Sequence, residues 1–497
     1  MTPDTPLADL VRQMDGAALS GDGRIPVRGI ALDSRRIGPG FLFAALRGDK
    51  TDGMSFVGDA LARGAVAVLS DRPRPAGIDC PWVLAGDARE AVAGFARALY
   101  GRPDEKIPVI GITGTNGKTT IAYLLESIVA ASGGAAGVIG TVSYRIAGAS
   151  IPAPRTTPEA DVLFELLARM VETGCTHAIL EVSSHALALR RVHGLRAAAG
   201  IFTNLTRDHL DFHRTMESYF EAKSLLFRSL PASSVAVLNA DSPSSARLAS
   251  LTRARVVTFG ISARADYRIG RVFSSFDGVR FELRIPEGGG RSIEVVSPLP
   301  GLHNASNVAG ALAVALSLGI PAAGALDGVR LCHGAPGRFQ TIQRGQDFHV
   351  IVDYAHTDNA IASLLDSVRA LCPARILTVF GCGGDRDRDK RPLMGAAAAR
   401  GSDEVILTSD NPRTEDPEKI MDDAEAGLCA VPGAGERYRR IADRREAIAA
   451  AIALAQTGDA VVISGKGHET YQILKDRTIP FDDALVAAEC IDTRMGR

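Results

Sequence analysis

The stretch Gly111-Ile-Thr-Gly-Thr-Asn-Gly-Lys-Thr-Thr120 constrains this chain more than any other. An apolar run, Val109 to Ile112, precedes it, and an amphipathic stretch, Ile121 to Ala131, follows it. That order predicts a strand, a glycine-rich loop and a helix. Glycines let the backbone turn so that successive N–H groups face an anion, and the helix N-terminus adds its positive dipole end. Lys118 is then placed to reach the β- and γ-phosphates of a nucleotide, while Thr119 offers a hydroxyl to a magnesium ion. The usual spacing puts a glycine five positions before the second one, where this chain has Ile112, so the earlier glycine is Gly111.

The length of 497 residues is too great for one ordinary core and predicts about three domains. A net charge of −1 gives no reason to expect a nucleic acid or a membrane as partner, so small polar or anionic substrates fit better. Seven cysteines lie far apart without a Cys-x-x-Cys pair, as in a reduced cytoplasmic protein. The N-terminus lacks a basic-then-apolar segment, and no apolar run approaches the roughly 20 residues of a membrane span. The expectation is a soluble monomer of the cytoplasm.

The fold class expected is α/β, in three domains. Residues 1–104 alternate short strands (Val27 to Leu32, Phe41 to Ala45, Ala65 to Leu69) with helical patterns such as Asp87 to Tyr100. A polar, proline-containing break from Gly101 to Pro108 precedes the phosphate loop. Residues 105–333 predict a mostly parallel sheet with strands at His177 to Val182, Ala198 to Thr203 and Val235 to Asn239, plus a β-rich insert from Tyr267 to Val296 turning at Gly288-Gly-Gly290. Residues 334–497 predict a Rossmann-like unit with strands at Val350 to Asp353, Ile376 to Phe380, Glu404 to Thr408 and Ala460 to Ser464.

Polar clusters follow several of these strands, where open α/β sheets place their ligands. Glu181-Val-Ser-Ser-His185 puts a hard carboxylate at a strand end, suited to magnesium. Thr203-Asn-Leu-Thr-Arg-Asp-His-Leu-Asp211 contains His209, a metal ligand or proton carrier, against which stands an ordinary structural histidine. Lys223 sits in the helical pattern Tyr219 to Phe227, where the bland expectation is a lysine that carries its head out to solvent.

The segments Gly114-Thr-Asn-Gly-Lys-Thr-Thr120, Glu181-Val-Ser-Ser-His185, Asp208-His-Leu-Asp211 and Ala222-Lys223 together resemble the Mur ligase family of ATP-dependent amide-forming enzymes, and the likeness spans nearly the whole chain. The resemblance implies that Lys223 is carbamylated and, with His209, holds a second magnesium ion, that Glu181 lies near both ions and that Thr119 binds the first. It implies ATP contacts from Gly114, Thr115, Asn116, Gly117, Lys118, Thr119 and Thr120, from Asn304 and Asn307 at the adenine, and from Arg338, Asp353 and His356. Lys118, Lys223, His209 and Glu181 are the catalytic set so implied.

The third domain points to the acceptor. Asp410, Asn411, Pro412 and Arg413, with Arg386, Gly465 and Glu469, resemble the family member that adds meso-diaminopimelate to UDP-N-acetylmuramoyl-L-alanyl-D-glutamate. The chemistry agrees: diaminopimelate ends in an ammonium and a carboxylate, which Glu469 and the arginines Arg386 and Arg413 complement. Leu32, Ser34, Asp49, Lys50 and Thr51 resemble its uridine-nucleotide contacts, and Arg155, Thr156, Thr157, Ser183 and Arg191 its contacts to the muramoyl-peptide. Leu189 stands where many members have glutamine and Arg155 where asparagine is common. Alternatives are a sister ligase for L-lysine or D-alanyl-D-alanine, a folylpolyglutamate synthase, and a nucleotide-binding module without ligation.

Overall fold

The structure, a computed structural model, describes residues 4–14, 16–48, 51–286, 290–372 and 374–497. Its largest element is an 11-stranded sheet. The strand Val109–Thr113 lies in the middle, paired in parallel with His177–Glu181 on one side and Ala199–Phe202 on the other. All five of its residues are buried, as expected of a parallel strand covered by helices on both faces. From this strand the chain first travels outward to Ala136–Ile139, returns to His177–Glu181 beside the start, and then crosses to Ala199–Phe202. The strand order therefore reverses at Val109–Thr113, and a crevice opens beyond its carboxyl end.

The β-rich insert is not a separate sheet. Tyr267–Ser275 pairs in parallel with Arg255–Gly260 and continues the main sheet, and Gly278–Arg284 and Ser292–Ser297 extend it antiparallel. The turn expected at Gly288-Gly-Gly290 falls largely outside the described residues. At the opposite edge a hairpin, Ser143–Ile146 with Ala149–Pro152, adds two antiparallel strands. Its turn, Ala147-Gly148, has φ of 49° and 83°, the left-handed pair that matches the twist of a two-residue hairpin.

Residues 17–85 supply a separate five-stranded sheet, and residues 340–464 a six-stranded one. The latter runs Gln340–Thr341, His349–Asp353, Ala460–Ser464, Ile376–Cys382, Glu404–Ser409 and Tyr438–Arg440, parallel apart from the first strand. Parallel pairing sends the carboxyl ends of its four central strands to one edge, which gathers the segments beginning at Asp353, Gly383, Asp410 and Gly465. Expected strand positions hold to within one or two residues for most strands, and the alanine-rich stretch at Gly395 to Arg400 lies in the helix Lys390–Gly401. The proline-containing break before the phosphate loop is packed rather than loose: Asp104 is buried and accepts from Arg97 Nε at 2.9 Å and from the Arg196 backbone N–H at 2.8 Å. One apolar cluster runs from Leu7 and Phe95 through Phe164 to Phe227, so the first unit and one face of the main sheet share a core.

The third sheet is held to its outer helices by a fully buried ion pair. Arg444 donates from Nε and Nη2 to the two oxygens of Asp483 at 2.8 and 2.7 Å, and Nη2 also donates to the Ser464 carbonyl at 3.0 Å. Both side chains have no solvent exposure. Removing one partner strands the other charge in a low-dielectric interior. Asp483→Ala is therefore expected to lower the stability of this unit by about 3–5 kcal/mol, measured by denaturant unfolding against the wild-type chain.

Candidate active site

The loop after Val109–Thr113 is squeezed between neighbouring side chains. Gly114 has φ of 147°, and a Cβ there would lie 1.8 Å from Thr203 Oγ1. Gly117 has φ of 87°, and a Cβ there would lie 2.4 Å from Asn307 Oδ1. Glycine is thus required by both conformation and space. The helix Lys118–Ala131 starts directly after, and Lys118 Nζ folds back onto the loop, donating to the carbonyls of Gly114 and Thr115, both at 2.9 Å. Burial holds its pKa below the usual lysine value, although the charge of Glu181 opposes this.

Glu181 ends the strand beside the loop and is buried. Its Oε2 accepts from Thr119 Oγ1 at 3.0 Å and from Thr141 Oγ1 at 2.9 Å, and Oε1 accepts from the Thr141 backbone N–H at 3.0 Å. Thr119 and Glu181 therefore come together as the motifs imply. Thr141 joins them without having been singled out in the sequence; a threonine after the strand Ala136–Ile139 carries little signal alone. Thr157 Oγ1 donates to the Glu181 carbonyl at 2.8 Å and accepts from the Ser183 N–H at 3.0 Å, which fixes the following turn.

Lys223 does not carry its head to solvent. Helix Met216–Arg228 buries it to 1% exposure, and Nζ donates to the Gly114 carbonyl at 2.8 Å. Burial first, and the nearby Lys118 charge second, push its pKa well below the usual value, which favours a neutral amine. Around it lie imidazoles: His209 stands edge-on to His185 with ring centres 4.8 Å apart and to Tyr219 at 6.1 Å. Burial and neighbouring cations bring His209 down to about 4, overcoming the pull of Asp208, so it is neutral near pH 7 and has a lone pair to offer. Asp208 is buried as well; burial raises its pKa, but His209 and Lys390 more than offset this and hold it near 2. Glu181 and Thr119 offer hard carboxylate and hydroxyl oxygens of the kind magnesium takes, although among the described residues no three His, Cys, Asp or Glu side chains gather closely enough to hold a metal ion.

Two cavities flank this group. One, about 270 Å³, is lined by Thr115 to Thr120, Ser183, Asn304, Asn307, Arg338, Asp353 and His356. Asn307 Nδ2 donates to Asn304 Oδ1 at 3.0 Å, and Asn304 Nδ2 to the Pro300 carbonyl at 2.7 Å, which orients both amides. Asp353 uses its two oxygens on the backbone N–H groups of Phe339, at 2.7 Å, and Ala355, at 2.8 Å. It therefore braces the Arg338 loop. The Arg338 guanidinium lies over the Tyr354 ring at 4.6 Å, and its buried Nε has no protein partner.

The other cavity, about 730 Å³, is lined by Arg155, Thr156, Arg386, Asp410, Asn411, Arg413, Gly465 and Glu469 among others. Arg413 has φ of 55° and donates from Nη1 to the Gly384 carbonyl at 2.6 Å. Pro412 is buried behind it. Asn411 Nδ2 donates to Glu469 Oε2 at 2.7 Å, so its amide braces that glutamate. Residues unmarked in the sequence also line this wall, among them Tyr354, Lys390 and His468. Lys390 crosses to the main sheet's side and meets Asp208 Oδ1 at 3.2 Å.

Thr141, Thr156, Asp208, His209, Tyr354 and His356 line both cavities, so the two spaces share a wall. Leu32, Ser34 and Thr51 stand apart from both, and Asp49 and Lys50 lie outside the described residues. The Leu32 N–H does reach Asp161 Oδ2 on the main sheet's side at 3.4 Å. Arg191 and Arg155 both turn to Glu159, and Arg191 Nη1 donates to the Thr157 carbonyl at 3.2 Å.

Three family descriptions match the chain in sequence: the Mur ligase family catalytic domain over residues 26–99, the Mur ligase middle domain over 112–315 and the Mur ligase glutamate ligase domain over 337–467. The UDP-N-acetylmuramoyl-L-alanyl-D-glutamate--2,6-diaminopimelate ligase of Solibacter usitatus is 48% identical over 94% of this chain and 93% of its own. The enzyme of that name from Geobacillus thermodenitrificans is 42% identical over 98% and 99%. A solved structure of a ligase with the same name superposes with a TM-score of 0.70 at 36% identity, covering 99% of this chain and all of the other. MurF ligase from Thermotoga maritima, solved with ADP, shares the fold with a TM-score of 0.62 at 17% identity over 94% and 96%. With its phosphate loop, its buried glutamate and lysine, and relatives matched from end to end, this chain belongs to the Mur ligase family.

Proposed function

We propose that the protein uses ATP to join meso-diaminopimelate to the D-glutamate γ-carboxylate of UDP-N-acetylmuramoyl-L-alanyl-D-glutamate, a step of peptidoglycan precursor synthesis. The observation that carries this reading is the shared wall: a phosphate-loop cavity opens beside one whose lining includes Arg386, Arg413, Asp410 and Glu469. Such an arrangement suits transfer of an activated carboxylate to an amino acid. The γ-phosphoryl group passes to the carboxylate, giving an acyl phosphate and ADP; the acceptor's neutral amine then attacks the acyl carbon, loses a proton and expels phosphate.

Each residue set has a separate task. The loop N–H groups and Lys118, exchanging its contacts to Gly114 and Thr115 for phosphate oxygens, stabilise the charge of the transferred group. Asn304 and Asn307 hold the adenine, Arg338 faces phosphate, and Asp353 and His356 keep that wall in position. Lys223, as a neutral amine, adds carbon dioxide and releases a proton to become a carbamate. Thr119, Glu181, the carbamate and His209 would hold two magnesium ions, whose contribution is to screen the charge on the phosphates and the carboxylate. Arg155, Thr156, Thr157, Ser183 and Arg191 receive the muramoyl-peptide, with Leu32, Ser34, Asp49, Lys50 and Thr51 on the uridine nucleotide. Units 1–104, 105–333 and 334–497 each bring one substrate, and closure of the third excludes water from the acyl phosphate.

The deciding assay is phosphate release with ATP, magnesium and the UDP-dipeptide, comparing meso-diaminopimelate with L-lysine. Release that requires diaminopimelate supports the reading; release with L-lysine alone discards the acceptor assignment, and none with either discards ligation of both. Arg413→Ala is expected to raise KM for diaminopimelate at least about tenfold, the scale of one lost charge-assisted hydrogen bond, with KM for ATP unchanged. The carbamate gives a pH-dependent prediction. Because the Lys223 pKa is depressed, its amine stays unprotonated as pH falls below the usual lysine value of 10.5, and gains a proton only at lower pH. Enzyme stripped of carbon dioxide should lose activity and recover it with bicarbonate, and the recovered fraction should stay high at pH values well below 10.5 and fall only at lower pH, as the amine protonates.

A further inference from the structure

Lys466 is a lysine with no solvent exposure, carried on the loop after Ala460–Ser464. Nothing in the ligation scheme above uses it. A fully buried lysine is rare without paired anions, and this one has them on two sides. Its Nζ donates to Asn411 Oδ1 at 3.0 Å and Glu469 Oε2 at 3.3 Å, and stands 3.5 Å from Asp410 Oδ1. Asn411 closes the ring, since its Nδ2 donates to the same Glu469 Oε2 at 2.7 Å.

The backbone on either side leaves little freedom. Gly465 has φ of 119°, and a Cβ there would meet Asp410 Oδ2 at 2.6 Å; at Gly467, with φ of 54°, a Cβ would meet the Tyr354 Cβ at 2.6 Å. The loop thus lies directly against the groups that the lysine bridges. The consequence for Glu469 is asymmetric: Oε2 is taken by Lys466 and Asn411, while Oε1 remains for a ligand. The consequence for charge is as direct. Asp410 and Glu469 alone would place two negative charges at one end of the cavity; with the ammonium between them the group carries one.

We propose that Lys466 is a positioning residue that sets acceptor specificity: it ties one oxygen of Glu469 and offsets one of the two carboxylate charges of the Asp410–Glu469 pair, so that this end of the cavity presents one oriented oxygen of Glu469 to the ammonium of a zwitterionic amino-acid centre. The carboxylate of that centre goes to Arg386 and Arg413. This rests on taking the larger cavity as the amino-acid acceptor site. Lys466 itself does not touch the acceptor; it acts through Glu469.

The test is a double-mutant cycle on the full-length enzyme, reading KM for each of the three substrates. Lys466→Gln keeps a donor and loses the charge, Lys466→Met loses both, and Glu469→Gln removes the carboxylate. Each single variant is expected to raise KM for meso-diaminopimelate at least tenfold, the Met variant more than Gln, while KM for ATP and for the UDP-dipeptide stays within twofold of wild type and reports a folded chain. The double variant Lys466→Gln/Glu469→Gln should be no worse than the poorer single, because the two side chains act as one unit. An unchanged KM for diaminopimelate in a lysine variant that keeps its nucleotide KM overturns the proposal. So do a parallel rise in all three KM values and effects that multiply in the double variant. If wild-type enzyme takes another amino acid instead, the diaminopimelate reading fails while the same cycle, run with that acceptor, still decides the role of Lys466.

Discussion

One carbonyl oxygen organises the candidate active site. The Gly114 carbonyl accepts from Lys118 Nζ at 2.9 Å and from Lys223 Nζ at 2.8 Å, so a half-buried and a fully buried lysine meet on a single backbone atom. Two ammonium groups at that separation, out of water, repel strongly, and burial already penalises each charge. The site lowers this cost by letting one amine go neutral, and Lys223, further from the carboxylate of Glu181, is the one held well below its usual pKa. Its reactivity therefore follows from where the phosphate loop must run. The loop in turn runs there because only glycine fits at positions 114 and 117, against Thr203 and Asn307.

The same economy explains the histidines. Neutral imidazoles at His185 and His209 surround the lysines without adding charge, since burial lowers both pKa values. Asp208, whose carboxyl is held near 2, balances the group together with Glu181 and Asp211, and also receives Lys390 from the third sheet. A residue that lines the larger cavity thus completes the charge balance beside the phosphate loop, which couples the two cavities through charge as well as through shared lining.

Much of this was legible in the sequence because the relevant signals are local. The phosphate loop, the apolar strands and the polar clusters after them each occupy a few consecutive residues, and parallel pairing guarantees that strand-end clusters converge. What escaped is of two kinds. Thr141 and Lys390 reach the site through folding of distant segments, and a lone threonine or surface-patterned lysine has no periodicity or motif to mark it. The β-rich insert was legible as strands but not as an extension of the main sheet, because edge pairing depends on what lies beside an element rather than on its own pattern. Lys223 is a third case, where local pattern misleads: a lysine among apolar residues ordinarily reaches solvent, and only tertiary packing against Gly114 keeps it in.

Lys223 and Lys466 show opposite uses of a buried lysine. Lys223 lies against a carbonyl and another lysine, with Asp208 as the opposing charge, and its proton is expendable. Lys466 lies between two carboxylates and an amide, and its donors tie them together. Both side chains are almost fully enclosed, so the difference between them lies in the groups each one meets. The ligation proposed above would use both: a neutral amine beside the phosphate loop, and a cation that ties Glu469 beside the larger cavity. Lys223 sits on the helix Met216–Arg228 and Lys466 on the loop after Ala460–Ser464, so the two lysines belong to different units that meet at a shared cavity wall.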